Sequence, residues 1–250
     1  AVREGRLFSL EEAAREHERS PVDVVFSCLP HLKSADALAP YFGTSIVIDL
    51  SADFRIPDSA LFEQGYGQAP PRSDLLDNAV YGLSEGFTDA LRSGDLIANP
   101  GCYPTSILLP VLPLLRRGII GGPIHATAMS GVTGAGKKVE EPFLYAEVDE
   151  SIRAYAPGRR HRHWFEMAHY LAGTAGNAKS GLLFMPHLVP MRRGIAATIT
   201  TARKDCAGDA DIVTAYREDY GNRPFVRASN ERIPATAHVV GSNRCDISWR

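Results

Sequence analysis

The sequence predicts an α/β domain built on a parallel sheet, followed by an α+β domain. In the first hundred residues, short apolar runs alternate with helix-like stretches, and each run ends in a turn that carries polar side chains. Within each run the apolar residues follow one another without alternating polar residues, which is typical of parallel strands covered on both faces. Beyond residue 102 the strand-like runs are longer and alternate more, as in an α+β domain. We therefore predict two domains, residues 1–102 and 103–250.

The individual elements follow from the same patterns. In the first domain we expect helices at 10–19 and 33–41 and strands at 22–26, 45–50 and 95–98. In the second we expect helices at 103–117, 163–171 and 209–220 and strands at 125–130, 182–186, 194–202 and 238–248. The loops after the first three strands read SCLPH, SADFR and NPGC. Working residues of parallel sheets gather in such loops, so these are the first candidates for a site.

Composition excludes several classes of protein. The 250 residues carry a formal net charge of −2, and the basic residues are scattered, which argues against a nucleic-acid partner or a membrane anchor. No apolar run reaches the roughly 18–20 residues of a membrane span. The four cysteines stand far apart with no CxxC pair, so we expect reduced thiols and a cytoplasmic location.

Cys102 is the strongest candidate for chemistry. It follows a predicted strand and the turn at residues 99–101, and it precedes an apolar helix whose first turn suits Pro104. A sulfur at a helix N-terminus is favoured as the thiolate, and the N–H groups there can stabilise an oxyanion. The alternative is a small buried hydrophobe. The other three cysteines lack this context, and for them we prefer the alternative.

His-Arg-His at residues 161–163, followed by Glu166, is the second candidate segment. A cysteine nucleophile needs a partner that exchanges a proton near neutral pH, and histidine is the usual choice. Glu166, near the start of a predicted helix, could orient the imidazole. The alternative is a pair of solvated surface histidines. No HExxH pattern or carboxylate cluster completes a tetrahedral centre, so no metal site is predicted.

A glycine-rich segment, residues 130–138, follows the first predicted strand of the second domain. Its GxxxxGK pattern matches the opening of a phosphate-binding loop, but Lys138 stands where Ser or Thr would hold Mg²⁺. Pro142 also interrupts any following helix. We therefore prefer a turn at which the backbone approaches a bound ligand closely.

Arg55 and Arg193 are cations at the ends of predicted strands. A guanidinium in such a position could hold a phosphate or carboxylate by paired hydrogen bonds. Taken singly, however, an arginine is more often a solvated surface residue.

Several long motifs, in one order along nearly the whole chain, resemble those of the N-acetyl-γ-glutamyl-phosphate reductase family, an arginine-biosynthesis relative of aspartate-semialdehyde dehydrogenase. They are LPH at 29–31, DLSADFR at 49–55, YGL at 81–83, ANPGCYPT at 98–105, SGVTGAG at 130–136, HRH at 161–163, PHLVPMRRGI at 186–195, PFVR at 224–227 and GSNRCDI at 241–247. In a lysine-pathway relative, residues of the NPGCYP segment are replaced, so the arginine branch is favoured. One departure is Trp164-Phe165, where the family usually has a small or polar residue and proline.

The resemblance implies a Rossmann domain and a second domain like that of glyceraldehyde-3-phosphate dehydrogenase. It predicts that the opening strand, its glycine-rich turn and the final helix are missing from this chain, which opens on Ala1. The implied cofactor is NADP(H), the substrate is an acyl phosphate, and the protein is a homo-oligomer, either dimer or tetramer.

The resemblance also assigns roles to single residues. Cys102 is the implied nucleophile, His161 the acid/base and Glu166 its partner. The implied cofactor contacts are Leu29, Pro30, Ser130, Gly131 and Gly134, and the implied substrate contacts are Arg55, Tyr103 and Arg193.

Three alternatives stay open. Another acyl-phosphate reductase, of the aspartate-semialdehyde or lysine-pathway type, would share every catalytic role. A Cys-His hydrolase would use Cys102 and His161 without a nicotinamide. A nucleotide-binding module would use the GxxxxGK turn.

Overall fold

The computed structural model describes residues 7–92, 94–136, 140–174 and 181–250, which form two compact units that divide between Gly101 and Cys102. The helices are α1 (Leu10–Arg19), α2 (Ser34–Ala37), α3 (Ser59–Tyr66), α4 (Thr88–Leu91), α5 (Cys102–Arg116), α6 (Tyr145–Val148), α7 (Arg162–Thr174) and α8 (Asp209–Tyr220). The strands are β1 (Val24–Ser27), β2 (Ile46–Asp49), β3 (Ala79–Tyr81), β4 (Leu96–Ala98), β5 (Ile120–Ser130), β6 (Arg153–Ala154), β7 (Leu182–Leu188), β8 (Ile195–Arg203), β9 (Val226–Ala228) and β10 (Cys245–Ile247).

The first unit is built on a four-stranded sheet in the order β1-β2-β4-β3, and all neighbouring strands are parallel. The predicted parallel α/β fold is therefore confirmed, although β3 and α3 were not predicted. The core of this unit lies between the sheet and its helices. It contains Ala35, Leu38, Val47, Phe54, Leu76, Leu96 and Ala98.

Strand β1 differs from the expectation that the parallel strands are covered on both faces. Val24 is 42% exposed and Phe26 is 66% exposed. β1 pairs with β2 at the edge of the sheet, and among the described residues nothing covers its outer face. The prediction of two-sided burial is wrong for this strand.

The second unit is built on a mixed sheet in the order β6-β7-β5-β8. β5 pairs in parallel with β7 and antiparallel with β8. Side chains of β5 and β7 alternate between buried and exposed, as the sequence predicts for this part of the chain. The inner face carries residues such as Ile124, Ala126 and Phe184, which are at most 1% exposed.

The predicted strand at 238–248 is wrong over most of its length. Only β10 is a strand there, and it pairs in parallel with β9. The residues before it form a turn, in which Ser242 N–H donates to the carbonyl of Val239 and Gly241 has a φ of 76°. A positive φ suits glycine. Gly241 therefore ends the extended conformation that Val239 and Val240 suggested in the sequence.

Two tyrosines of α8 bind carbonyls of helix α5, which contains two prolines, and one of these carbonyls lacks its helical donor because of Pro113. Pro113 has no N–H for the carbonyl of Leu109, four residues earlier. The hydroxyl of Tyr220 donates to that carbonyl at 2.6 Å instead, and the hydroxyl of Tyr216 donates to the carbonyl of Pro110 at 2.7 Å. These bonds fix the helix that begins at Cys102. In the described ranges we find no helix that combines the length and apolarity needed to cross a membrane.

Candidate active site

Cys102 is the first residue of α5 and its side chain is exposed. The predicted helix start is therefore observed, and the interpretation of Cys102 as a small buried hydrophobe is excluded. As in any helix, the N–H groups of the first turn have no intrahelical carbonyl to bind. Pro104 occupies that turn, where its missing N–H has no structural cost. An exposed sulfur at this position can act as a nucleophile.

Tyr103 and Tyr155 form a hydroxyl pair beside Cys102. Their oxygens are 2.7 Å apart, and Tyr103 is only 2% exposed. The buried hydroxyl of Ser130 lies within hydrogen-bonding reach of Tyr103 and donates to the carbonyl of Gly131 at 3.1 Å. Burial raises the pKa of both tyrosines, and a thiolate at Cys102 would raise it further. Both hydroxyls are therefore neutral near pH 7 and act through hydrogen bonds.

Sequence reasoning missed Tyr155. It lies directly after β6, and its N–H donates to the carbonyl of Pro186 at 3.0 Å. The signal available in the sequence is Ala-Pro-Gly at residues 156–158, a turn that can fold an aromatic side chain back onto the following histidine. In the structure the ring of Tyr155 does fold back onto His161, because their ring centroids are 5.6 Å apart.

His161 lies among aromatic side chains. Its ring centroid is 5.3 Å from that of Tyr103 and 5.4 Å from that of Phe184, both edge-on. Nδ1 of His161 accepts a hydrogen bond from the backbone N–H of His163 at 3.1 Å. Burial, helped by the charge of Arg162, lowers the pKa of His161 to about 4. The ring is therefore neutral near pH 7, and its proton is on Nε2, which is left as a hydrogen-bond donor.

His163 and Glu166 lie on α7, one turn apart. The ring of His163 is 4.9 Å from that of His161 and 6.0 Å from that of Tyr103. Glu166 is fully buried. Its negative charge adds to the burial that raises the pKa of Tyr170, four residues later. Spacing of three residues puts Glu166 on the same side of the helix as His163 rather than His161, which precedes the helix.

Trp164 and Phe165, which differ from the residues usual in the family, anchor α7. Trp164 donates from Nε1 to the carbonyl of Leu182 at 2.9 Å, and the guanidinium of Arg159 lies 4.7 Å from the centre of its ring. Phe165 is buried. Both aromatic residues are used in packing, so they support the helix start without entering the cluster around Cys102.

The glycine-rich turn packs against the segment that carries Arg193. A Cβ on Gly131 would lie 2.8 Å from the backbone of Arg192 and Arg193, so the missing side chain makes room for protein backbone. Thr133 donates from both N–H and hydroxyl to the carbonyl of Arg192. Arg193 is exposed beside this turn. Ser130, Gly131 and Arg193 are thus brought together, whereas Lys137 and Lys138 of the GxxxxGK pattern lie outside the described residues.

Gly134 lies further along the same turn and is exposed. A Cβ there would lie 3.0 Å from Oγ of Ser130. Gly136 has a φ of 73° and open space around its Cα. After the gap, the described chain resumes with a short helical turn, Glu141–Phe143, and then α6, so the long helix of a phosphate-binding loop is not found among the described residues.

Arg55 in the first unit is buried rather than presented to solvent. Its Nε donates to the carbonyl of Asn99 and its Nη2 to the carbonyl of Leu50, both at 2.7 Å. These contacts join the loops that follow β2 and β4. The side chain therefore has a structural task that the sequence did not suggest, and its substrate contact stays a prediction.

Two buried carboxylates organise the other loops at this end of the parallel sheet. Asp49 accepts from the hydroxyl of Ser34 at 2.6 Å and from that of Ser51 at 2.5 Å. Asp53 accepts from the N–H of Leu32 at 2.6 Å, which holds that residue at a φ of 66°. The loop so fixed contains the predicted cofactor contacts Leu29, half-buried, and Pro30, exposed. No cluster able to hold a metal ion occurs in the part of the chain that the structure describes.

Two family models match the chain, each over one unit. Residues 1–93 match the NAD binding domain of semialdehyde dehydrogenase, and residues 102–250 match its dimerisation domain. The fold is also that of solved aspartate-semialdehyde dehydrogenases. The type II enzyme of Vibrio cholerae aligns with a TM-score of 0.62 at 14% identity over 94% of this chain and 68% of its own. The enzyme of Francisella tularensis aligns with a TM-score of 0.64 at 10% identity over 96% and 73%.

The described residues fit a nicotinamide cofactor. The loop after β1 is held in one conformation by Asp53 and exposes Pro30, at the end of a parallel sheet where nucleotides bind. The outer side of the glycine-rich turn is exposed at residues 133, 134 and 136, so a flat ring can approach its backbone. The cofactor contacts predicted at these two surfaces stay predictions.

Curated relatives narrow the family further. N-acetyl-gamma-glutamyl-phosphate reductase of Citrifermentans bemidjiense is 44% identical over 90% of this chain, and that of Syntrophobacter fumaroxidans is 40% identical over 96%. The chain spans 66% of the length of the first and 70% of the second. By its two domain matches and these relatives, the chain belongs to the semialdehyde dehydrogenase family, in the branch that contains the N-acetyl-gamma-glutamyl-phosphate reductases.

Proposed function

We propose that the protein reduces N-acetyl-γ-glutamyl phosphate to N-acetylglutamate semialdehyde, with release of phosphate and with NADPH as the hydride donor. The observation that carries the proposal is the exposed Cys102 at the start of α5, within the cluster that includes His161. Relatives up to 44% identical are N-acetyl-gamma-glutamyl-phosphate reductases, which supports this substrate over other acyl phosphates. The unit that ends at Gly101 would bind NADP(H) as a Rossmann domain, and the unit that begins at Cys102 would be the catalytic domain.

The first half of the reaction makes a thioester. The thiolate of Cys102 attacks the acyl carbon, the bond from that carbon to the phosphate oxygen breaks, and phosphate leaves with one proton taken from solvent. Phosphate is a good leaving group, so charge stabilisation matters more than acid help. The first-turn N–H groups of α5 would hold the oxyanion, and Arg193, exposed beside the glycine-rich turn, would hold the phosphate.

The second half releases the aldehyde. NADPH, when bound, would supply the hydride that reduces the thioester carbon. The resulting oxyanion collapses, the carbon–sulfur bond breaks, and the thiolate of Cys102 is restored. His161 was assigned as the acid/base; as a neutral ring with its proton on Nε2, it would act by donating a hydrogen bond to the oxyanion. Buried Glu166 would orient the histidine pair from α7.

The remaining assignments follow the same division. Leu29 and Pro30 in the first unit, with Ser130, Gly131 and Gly134 in the second, would contact NADP(H). Tyr103 and Arg193 would contact the substrate. Arg55, in the loop after β2, would be a third substrate contact. A cytoplasmic location is consistent with cysteines that stand as thiols in the described structure.

The test is an assay of the purified protein with three acyl phosphates: N-acetylglutamyl, aspartyl and aminoadipyl. We expect NADPH oxidation with the first to exceed that with the others by at least about a hundredfold, since a site built to bind an amide rejects substrates without one. Preference for aspartyl phosphate would favour the aspartate-semialdehyde reaction. Phosphate release without NADPH oxidation would favour the Cys-His hydrolase.

We also propose a homo-oligomer, a dimer or tetramer, that uses the outer face of the β6-β7-β5-β8 sheet. This face carries the exposed side chains of Met129 and Leu183, and Met129 pairs with His187 and Ala196 across the sheet. The domain model that matches this unit is named for dimerisation. Leu183→Glu should therefore produce monomers in light scattering, whereas Val213→Glu, at an exposed position of α8, should not.

A further inference from the structure

Tyr155 has no task in the proposed reaction, yet it lies within the cluster around Cys102. Its ring is 5.6 Å from that of His161, and its hydroxyl is 2.7 Å from that of Tyr103. It is close enough for the charge of Cys102 to act on its ionisation. A half-buried tyrosine hydroxyl in such a position needs a physical reason.

The Tyr103–Tyr155 hydrogen bond joins two segments of the second unit. Tyr103 belongs to the first turn of α5, directly after Cys102. Tyr155 begins the loop of residues 155–161, which ends at His161. The hydroxyl pair therefore ties the turn of the nucleophile to the loop of the imidazole.

The backbone of that loop is held in an unfavourable conformation. Ala156, next to Tyr155, has a φ of 41°, in the left-handed region that side chains with a Cβ rarely adopt. Gly158 follows with a φ of 60°. Such conformations persist only where surrounding contacts fix them, and they concentrate at functional sites. The described contacts that fix this loop include the N–H of Tyr155 to the carbonyl of Pro186 and the hydroxyl pair.

We propose that Tyr155 is a positioning residue, whose hydroxyl holds the loop of His161 to the first turn of α5 through Tyr103. The consequence is a fixed orientation of the imidazole relative to Cys102. The catalytic part of this inference rests on the proposed function. The structural part, the orientation of His161, does not.

The first experiment separates positioning from stability. Tyr155→Phe and Tyr103→Phe each keep the ring that contacts His161. The first leaves the Tyr103 hydroxyl with Ser130, the second leaves the Tyr155 hydroxyl without Tyr103, and the double variant removes both hydroxyls. Unfolding free energy should therefore recover in the double variant. We expect kcat to stay at least about tenfold lower in all three. KM for the acyl phosphate should change less than threefold in Tyr155→Phe, because lost orientation costs rate rather than binding. Recovery of kcat together with stability in the double variant would overturn the proposal.

A matched control is Tyr220 of α8, which contacts the same helix α5. The hydroxyl of Tyr220 donates to a carbonyl of α5 at 2.6 Å, but near Leu109, two turns beyond Tyr103. Tyr220→Phe should lower stability by as much as Tyr155→Phe while leaving kcat within about twofold of the original. A drop in kcat in this variant equal to that of Tyr155→Phe would mean that any loosening of α5 suffices, which contradicts the proposal.

The second experiment needs neither substrate nor cofactor. With histidines labelled by ¹³C and ¹⁵N, the ring signals of His161 are identified by their absence in His161→Asn. Edge-on rings of Tyr103, Tyr155 and Phe184 displace these signals by their ring currents. Loss of the displacement in Tyr155→Phe and in the double variant supports the proposal, whereas unchanged signals refute it. If no acyl phosphate is reduced by the original protein, the proposed function fails, and this experiment still decides the role of Tyr155.

The third experiment asks whether Tyr155 acts through His161. In the His161→Asn background, Tyr155→Phe should cause no further loss of kcat, since the group that it positions is gone. Losses that multiply would show an independent task for the hydroxyl and overturn the positioning role.

Discussion

The two units use polar side chains near strand ends in opposite ways. In the first unit, Asp49, Asp53 and Arg55 are buried, and their bonds go to backbone groups and hydroxyls of neighbouring loops. In the second, Cys102 is exposed and His161 is half-buried with Nε2 left as a donor. The first arrangement fixes loops, whereas the second leaves atoms available to a substrate.

This difference is one of burial, not of residue type. An arginine after a strand, such as Arg55 or Arg193, suggests a ligand site in both units when only the sequence is read. A guanidinium that already binds two carbonyls has fewer donors to offer a phosphate, because each donor forms its bonds within a fixed fork. The predictions below test this contrast, from the largest expected effect to the smallest.

The largest effect is expected for Cys102→Ser. If the exposed cluster performs the chemistry, loss of the thiolate should lower kcat by roughly 10³-fold or more while NADPH affinity changes little. Steady-state assays and NADPH titration by fluorescence measure the two quantities. Cys206→Ser, also exposed but on a surface loop, is the control and should keep full activity. Activity of Cys102→Ser within tenfold of the original would exclude covalent catalysis by this residue.

The next effect separates His161 from His163. We expect His161→Asn to lower kcat by roughly 10²–10⁴-fold, the range for losing a catalytic imidazole. His163→Asn should cost much less, and mainly through KM or stability, because His163 lies on α7 one turn before Glu166. Steady-state kinetics of the two variants decide the order. The reverse order would move the catalytic imidazole to His163.

The contrast between the units predicts different defects for Arg55→Ala and Arg193→Ala. Removing the buried guanidinium leaves the carbonyls of Leu50 and Asn99 without their donors, so unfolding free energy should fall by about 2–4 kcal/mol. Exposed Arg193 should change stability by less than about 0.5 kcal/mol and instead raise KM for the acyl phosphate more than KM for NADPH. Denaturant titration and kinetics test both. A purely kinetic defect in Arg55→Ala would restore its predicted role as a substrate contact.

The neutral state of His161 also predicts how stability depends on pH. Its pKa is about 4 in the folded protein and near the ordinary 6.5 in the unfolded chain. Between these values the unfolded chain binds more protons, so stability is full above about pH 6.5 and falls as the pH decreases toward 4. Unfolding free energies at pH 7 and 5 should differ less in His161→Asn than in the original protein. His238→Asn, which replaces an exposed histidine, should keep the original dependence.

The sequence predicted the positions of helices and strands well, because hydrophobic periodicity and helix-start residues are local signals. The helices at 10–19 and 209–220 begin and end as predicted, and the parallel strands around residues 46–49 and 96–98 lie within the predicted runs. Tyr155 was missed because its importance comes from a contact with Tyr103, 52 residues earlier. The burial of Arg55 was missed for the same reason, since both of its acceptors are backbone atoms, which every residue type supplies. Contacts of this kind have no signature in composition or spacing.

The smallest expected effect concerns the rates at which the cysteines react with iodoacetamide. Cys28 and Cys206 are exposed, so the prediction that they are small buried hydrophobes is wrong. Cys102 is exposed too, and access alone therefore predicts similar rates for the three. Only Cys102 begins a long helix, where the dipole and the N–H groups favour the reactive thiolate. We therefore expect Cys102 to be labelled roughly tenfold faster than the other two at pH 7, as measured by mass spectrometry of peptides after short exposure. The rates should converge in guanidinium chloride, where the helix is lost and the three thiols become equivalent. Equal rates in the folded protein would show that the start of α5 does not activate the sulfur, and the contrast between the two units would then rest on exposure alone.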